Sequence, residues 1–382
     1  MRIAIFGLTI SSAWGNGHAP LWRGLGKALV DLGHELVFFE RDLPRFASTR
    51  DWTALPADFA NSKLVLYPDW STIERRACRE LASCDVAIVS SYCFDAQAAT
   101  DAIMDAHHPL AVFYDLDTPI TVDMLRSGKR VPYIPWRGLG EFDLVLSYTG
   151  GAALEALRSD LCAHRVRALY GHVDPDTYQP MAPVARYRTA LSWLGAYSAD
   201  RQAMLEELFV TAARQRPDQK FLIAGAHYPE HFPWSSNIGF IESLPPQEQA
   251  AFLCSSRLTL NITREPMARL GWCPSGRLFK AAACATAVLS DEWCGLDDFY
   301  TPGEQILVAR DAEDTLAALD LSDAQLRAIG RTARERTLDE HTSLHRARQL
   351  IHYLEEIRSP SRSWTAPAAL RAHISGDGPA LN

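Results

Sequence analysis

Three groups of side chains in this sequence are spaced so that they could do chemistry together. The first is Trp14-Gly15-Asn16-Gly17-His18, a histidine directly after a glycine-rich turn. Gly15 and Gly17 allow backbone turns that other residues resist, and they let a ligand approach closely. The second is Phe113-Tyr114-Asp115-Leu116-Asp117-Thr118-Pro119, which places two carboxylates at the end of an apolar run. A carboxylate that holds one imidazole nitrogen makes the other a competent base, so His18 with Asp115 or Asp117 is a candidate acid–base pair. Capping and turn chemistry accounts for the same residues without any reaction, since Thr118-Pro119 reads as a helix start.

The third group is suited to anions. Tyr197-Ser198-Ala199-Asp200-Arg201, Thr263-Arg264 and Ser275-Gly276-Arg277 each combine a hydroxyl with a nearby arginine. Pro274 and Ser275 read as a helix start, with Ser275 as the cap. A helix amino end favours negative charge through its free N–H groups and dipole. Arginine adds a planar fork that fits phosphate oxygens. If the sheet order brings Arg201, Arg264 and Arg277 together, a nucleoside diphosphate is the expected ligand. An ordinary capped helix, with arginines paired to acidic neighbours, would look the same in sequence.

The elements that must position these groups alternate. Residues 2–7 read as a buried strand. Leu21, Leu25, Leu29 and Leu32 mark one helix face, and residues 35–40 form the next strand. Further strands are expected at 63–67, 85–90, 110–115 and 143–148, with helices such as 71–83 and 95–107 between them. Near-continuous apolar strands separated by helices predict a parallel sheet covered on both faces. Residues 171–188 read as a linker rich in Pro and polar residues. The alternation then restarts, with strands at 190–195, 220–224, 238–241, 256–261, 287–290 and 305–309. Helices are expected at 201–214, 246–254, 275–285, 312–319, 323–338 and 343–357. The expected organisation is therefore two doubly wound α/β domains, 1–175 and 176–342, facing a cleft. A helix at 343–358 crosses back to the first domain, and 359–382 is a disordered tail. Ligands of such sheets bind beyond the carboxyl ends of the strands, where all three groups lie.

Composition narrows the function. The chain has 382 residues, a net charge of −8 and 47% hydrophobic residues. Those values predict a globular protein and argue against nucleic acid as a general partner. None of the eight cysteines forms a C-x-x-C pair, so no metal site is expected. No apolar stretch reaches the length of a membrane span, and the amino end lacks the pattern of a signal peptide. A cytoplasmic location follows as an expectation. A dinucleotide fold is the weaker alternative, because Pro20 stands where G-x-G-x-x-G needs its third glycine. Glu40, an acidic residue after the second strand, keeps it open.

These residues resemble a known family. FGLTISSAWGNGH, FYDLDTP, LSYTGG, VDPDTYQP, LGAYSADRQ, LTLNITR and PSGRLFKAAACATAVLSDEWCGLDDF are similar to glycosyltransferases with two Rossmann-like domains, the GT-B type. The likeness is greatest to the CgeB-like, group-1 bacterial enzymes and spans roughly residues 1–357. It implies a nucleotide-sugar donor (UDP-, GDP- or dTDP-linked) held mainly by the second domain, with no metal or other cofactor. An unidentified acceptor, a glycan, small molecule or protein, would lie mainly on the first domain. Homo-oligomerisation and the stereochemical outcome stay open. GNGHAPLWRGLGKALVDLGHELVFF also resembles the first unit of inverting transferases, which implies His18 as base and Asp115 or Asp117 as its support. Gly15, Asn16, Gly17, Tyr197, Ser198, Arg201, Thr263, Arg264, Ser275, Gly276, Arg277 and Lys280 would surround the donor. The sequence departs from the family at three places. Lys280 replaces an acidic residue that binds the donor ribose, Ala285 replaces a glycine, and Trp272 stands where retaining members have Glu. Lys280 and Trp272 motivate a non-catalytic partner protein as one alternative. A nucleotide-sugar epimerase on the same fold is the other, though the extra carboxylates it needs are not evident.

Overall fold

The structure, a computed structural model, describes residues 1–358, so the tail expected at 359–382 lies outside the described residues. The first half contains β1 (Arg2–Gly7), β2 (Glu35–Arg41), β3 (Lys63–Tyr67), β4 (Val86–Ser90), β5 (Leu110–Asp115), β6 (Leu144–Ser147) and β7 (Val166–Ala168). Its helices are α1 (His18–Asp31), α2 (Pro44–Ala47), α3 (Trp70–Leu81), α4 (Ala96–Ala106), α5 (Thr118–Arg126) and α6 (Ala152–Leu161). The second half contains β8 (Thr189–Leu194), β9 (Phe221–Ala224), β10 (Ile238–Ile241), β11 (Ser256–Asn261), β12 (Ala287–Asp291) and β13 (Leu307–Ala309). Its helices are α7 (Gln202–Leu205), α8 (Ala212–Gln215), α9 (Gln249–Cys254), α10 (Glu265–Leu270), α11 (Gly276–Ala283), α12 (Ala312–Asp320) and α13 (Asp323–Glu340). α14 (Ser343–Arg358) follows.

Both sheets are parallel, in the orders β3-β2-β1-β4-β5-β6-β7 and β10-β9-β8-β11-β12-β13. The chain reverses direction across each sheet between β1 and β4, and between β8 and β11. Each reversal opens a crevice at the carboxyl ends of the strands. Strands buried on both faces, such as Val86–Ser90 and Phe221–Ala224, explain the continuous apolar runs in the sequence.

Two departures from the sequence reading concern the site. No helix is expected from the sequence between the strand at 256–261 and the helix at 275–285, but Glu265–Leu270 forms α10, with Pro266 in its first turn. Proline suits that position because its missing N–H has no partner there anyway. Glu40, which kept the dinucleotide reading open, is fully buried. Its carboxylate accepts from Thr9 Oγ1 (2.9 Å), Ile10 N (2.8 Å), Ser11 N (3.0 Å) and Ser11 Oγ (2.6 Å). With its acceptors occupied in pinning the β1–α1 loop, it has none left for a ribose.

The two halves meet at several points. Val173 and Thr342 form an isolated bridge, and His172 Nδ1 is 2.9 Å from Ser343 Oγ. α14 lays Ala347, Leu350 and Leu354 against Trp22, Leu25 and Leu29 of α1. In front, the Gly150 N–H donates to the Trp272 carbonyl (2.9 Å), and Arg269 pairs with Asp123 (3.3 Å). Gly151 has φ +55°, and a Cβ there would lie 2.4 Å from the Trp272 ring. The backbone angle and the close approach both call for glycine.

Candidate functional site

On the first sheet the strand order β1-β4-β5 decides the geometry. The loop carrying His18 follows β1 and the loop carrying Asp115 and Asp117 follows β5. The loop after β4 stands between them, and it carries Tyr92. The Tyr92 ring meets the His18 ring edge-on, with centroids 5.3 Å apart, and its hydroxyl lies beside the Asp117 carboxylate. Tyr92 has φ +64°, a left-handed conformation that costs a bulky residue energy and recurs at functional sites.

The expected hydrogen bond from His18 to Asp115 or Asp117 is absent from this structure. His18 Nδ1 is buried with no partner, and burial lowers its pKa to about 4. Asp115 is turned inward. Its Oδ1 accepts the Asp117 N–H (3.0 Å), its Oδ2 is unpartnered, and burial raises its pKa to about 6. The half-buried Asp117 is also raised by burial, opposed by Tyr92 and by the positive charges of Arg264 and Arg201. Asp117 therefore feels arginines that belong to the other sheet. Among the glycine-rich residues, Asn16 is occupied with capping α1. Its Oδ1 accepts from the N–H groups of His18 and Ala19, both at 3.1 Å. Gly15 and Gly17 face open space, and only Gly15 needs its freedom, at φ +66°.

On the second sheet β8, β11 and β12 are neighbours, so the anion-suited groups do converge. Ser275 caps α11 by accepting from the Arg277 N–H (3.2 Å), as the sequence led us to expect. The Arg277 side chain donates to the Leu194 carbonyl through Nε and to Ser275 Oγ through Nη1 (3.2 Å). Its guanidinium lies 4.7 Å from the Trp193 ring centre, and that of Arg201 lies 5.6 Å from the same ring. Burial and the mutual repulsion of Arg201 and Arg277 both disfavour the charged form of Arg277. Arg201 Nε is buried without a partner. Arg264 is held by Asp200 (2.7 Å). Two like charges confined beside one ring, with an unsatisfied donor, form a site that an anion would relieve.

Other expected donor residues support the site from behind. Ser198 donates its hydroxyl to Asp200, and Thr263 donates both N–H (2.9 Å) and Oγ1 (3.0 Å) to Asp291. Tyr197 packs edge-on against Tyr228 at 5.8 Å. The Lys280 amine donates to Gln249 Oε1 (3.2 Å) and sits 5.0 Å from the Tyr178 ring centre. Lys280 nevertheless lines a small cavity with Arg277, Leu194 and Asn261, whose Oδ1 is buried and unpartnered. Gly276 would bring a Cβ within 3.6 Å of the Tyr148 hydroxyl, so a first-half tyrosine touches the amino end of α11.

Sequence reasoning did not single out Tyr92, Tyr148, Trp193 or Tyr228. The three tyrosines lie in strand-end loops, which was the available signal. Trp193 lies inside a strand, and its role shows only when two arginines are seen beside it.

Residues 201–352 match a sequence-family model described as glycosyl transferase-like. A search of curated protein sequences gives no significant match. Several solved structures share the fold. Sucrose-phosphate synthase from Thermosynechococcus elongatus aligns with a TM-score of 0.64 at 13% identity, covering 94% of this chain and 99% of that one. Anabaena HepE in complex with UDP-glucose aligns with a TM-score of 0.64 at 12% identity, covering 93% and 100%. An alpha-glucosyltransferase in complex with UDP-glucose and DNA containing an abasic site aligns with a TM-score of 0.63 at 13% identity, covering 93% and 99%. The architecture is GT-B: two parallel-sheet α/β halves facing a cleft.

Proposed function

We propose that this chain is a glycosyltransferase of the group-1, CgeB-like type, transferring a sugar from a nucleoside diphosphate to a hydroxyl acceptor. The observation that carries the reading is the convergence of Arg201 and Arg277 beside Trp193, with Arg264 close enough to act on Arg201, across the cleft from Asp117 and His18. In this reading the donor diphosphate lies at the amino end of α11 between Arg201 and Arg277. UDP is the favoured nucleotide, because HepE and the alpha-glucosyltransferase are described with UDP-glucose. Residues 1–175 hold the acceptor and 176–342 the donor. The acceptor oxygen attacks the anomeric carbon while His18 takes its proton. The bond from that carbon to the diphosphate oxygen breaks, and the departing charge develops between fixed guanidinium groups. Such preorganised charge is worth most in a site shielded from water, so these arginines can carry the leaving group without a metal ion.

Arg277→Ala tests the reading. UDP, GDP and dTDP binding should be followed by calorimetry in parent and variant. We expect at least one nucleotide to bind the parent, and the variant to bind it roughly tenfold or more weakly, as loss of a charge-assisted contact implies. Equal binding would remove the phosphate from Arg277. No binding to the parent would favour the non-catalytic partner. A specific observation supports that second reading: the Lys280 amine is already engaged by Gln249 and Tyr178.

A further inference from the structure

Away from the arginine pocket, the first half exposes two large aromatic side chains, Trp136 (72% exposed) and Phe94 (46%). Both adjoin the loops that surround His18. Tyr92, beside His18, packs on the buried Tyr133 at 4.8 Å, and the Tyr133 hydroxyl is 2.9 Å from Thr121 Oγ1. Three residues on, the Trp136 N–H donates to Gln97 Oε1 (3.1 Å) in the first turn of α4. Phe94 lies just before that same helix. The loop after β4 and the loop containing 133–136 therefore run side by side, leading outward from His18.

Each exposed ring is paired with a guanidinium. Arg130 lies 3.8 Å from the Trp136 ring centre, and Arg45 lies between the buried Phe46 (4.6 Å) and the exposed Phe94 (5.4 Å). Neither guanidinium has a hydrogen-bond or carboxylate partner among the described residues. In a chain of net charge −8, two such cations beside the cleft are a local feature and not a consequence of composition. Large exposed aromatic surface next to a cleft marks a binding surface.

We propose that the acceptor is an oligosaccharide carrying carboxylates, laid over Tyr92, Phe94 and Trp136 with Arg45 and Arg130 receiving its charges. The inference rests on the glycosyltransferase reading and adds the acceptor class. Sugar rings present apolar C–H faces that stack on aromatic rings. Tyr92 connects to Trp136 through Tyr133, three residues earlier in the same loop, so an acceptor of several rings laid outward from His18 covers both aromatics. A guanidinium lying on an aromatic face keeps its N–H fork in plane, the geometry a planar carboxylate accepts bidentately. Single-stranded nucleic acid also stacks on aromatics, but it requires a continuous basic groove along its phosphates, and here Arg45 in α2 and the Lys129-Arg130 pair after α5 stand on two separate segments of an acidic chain.

The test is binding in the presence of UDP, read by tryptophan fluorescence and calorimetry. The probes are oligogalacturonate and hyaluronan tetrasaccharides, maltotetraose as a neutral control, and a single-stranded oligonucleotide. We expect an acidic tetrasaccharide to bind more tightly than the neutral one. Trp136→Ala and Arg130→Gln should each weaken it roughly tenfold, while leaving UDP affinity unchanged. Both residues are on the surface, and Phe94→Ser provides an independent third variant. Equal binding of acidic and neutral sugars, binding of the oligonucleotide alone, or no effect of the three variants would each overturn the proposal. UDP binding without any oligosaccharide binding would overturn it and leave the transferase reading standing. Failure to bind UDP would instead strike at that reading.

Discussion

His18 is neutral and poorly basic as it sits, because burial removes the water that would solvate its cation and no carboxylate contacts it. A base with a pKa near 4 is fully deprotonated at neutral pH. We therefore expect kcat/KM with the true substrates to stay flat on acidification and to fall only as pH approaches 4. A limb near the ordinary imidazole value of 6.5 would show that the ring is solvated in the free enzyme. His18→Ala should lower kcat by roughly a hundred- to ten-thousand-fold if the ring is the base. Lys280 makes a different prediction. Lysine offers donors and no acceptor, so it cannot replace a carboxylate on the ribose hydroxyls. The parent should discriminate poorly between UDP and 2′-deoxy-UDP, and Lys280→Glu should raise that discrimination. Competition binding of the two nucleotides reads this directly, and an unchanged ratio would place residue 280 away from the ribose.

α11 shows how one element can be correct in outline and strained at its end. Ser275 starts it, and Leu278, Phe279, Ala281, Ala282 and Ala283 are buried, as its apolar spacing requires. It stops at a turn in which Ala285 has φ +56° and its N–H donates to the Ala282 carbonyl (2.8 Å). This is the position where the family it resembles has glycine, and the left-handed angle supplies the reason. Alanine pays for its Cβ there, whereas glycine does not. The turn cannot relax by shifting toward α13, since a Cβ on Gly330 would already lie 2.2 Å from the Ala285 carbonyl oxygen. Ala285→Gly should raise unfolding free energy by about 1 kcal/mol, partly offset by the greater freedom of the unfolded chain. A urea midpoint unchanged or lowered, at constant m-value, would contradict the strain.

At the scale of the whole molecule, the crossing between the halves is built on neutral histidines. His172 and His341 are buried beside Arg346, and burial with that charge lowers both pKa values to about 3. Their folded values lie below the unfolded value of 6.5, so their contribution is fully present above pH 6.5 and is lost as pH falls toward 3. Asp115 and Asp291 act oppositely. Burial raises each to about 6, so the fold is favoured as pH drops through 6 toward their ordinary value of 3.8. Between pH 7 and 5 each group shifts stability by about 1–2 kcal/mol, the histidines lowering it and the two aspartates partly offsetting them. His172→Asn separates them. Relative to the parent, this variant should gain about 2 kcal/mol on going from pH 7 to pH 5, measured by denaturant unfolding. A difference independent of pH would mean that His172 is solvated at the crossing.

Much of this arrangement was legible in the sequence because it depends on local order. Apolar runs of strand length, glycine-rich turns and the Pro274-Ser275 start determine parallel strands, helices and a capped α11 without reference to distant residues. The convergence of Arg201, Arg264 and Arg277 followed from their being at strand ends, once β8, β11 and β12 proved to be neighbours. The sequence could not reveal which loop lies between which. The order β1-β4-β5 puts Tyr92 between His18 and the two aspartates, and it is this interposed ring, not an unsuitable residue type, that leaves the expected pair unformed. Burial was equally hidden. Glu40 and Asp115 read as cleft carboxylates, but only the folded chain turns one onto the β1–α1 loop and the other toward the Asp117 N–H. Strand order and the direction a side chain faces arise from long-range packing, and the spacing of residues along the chain does not encode them.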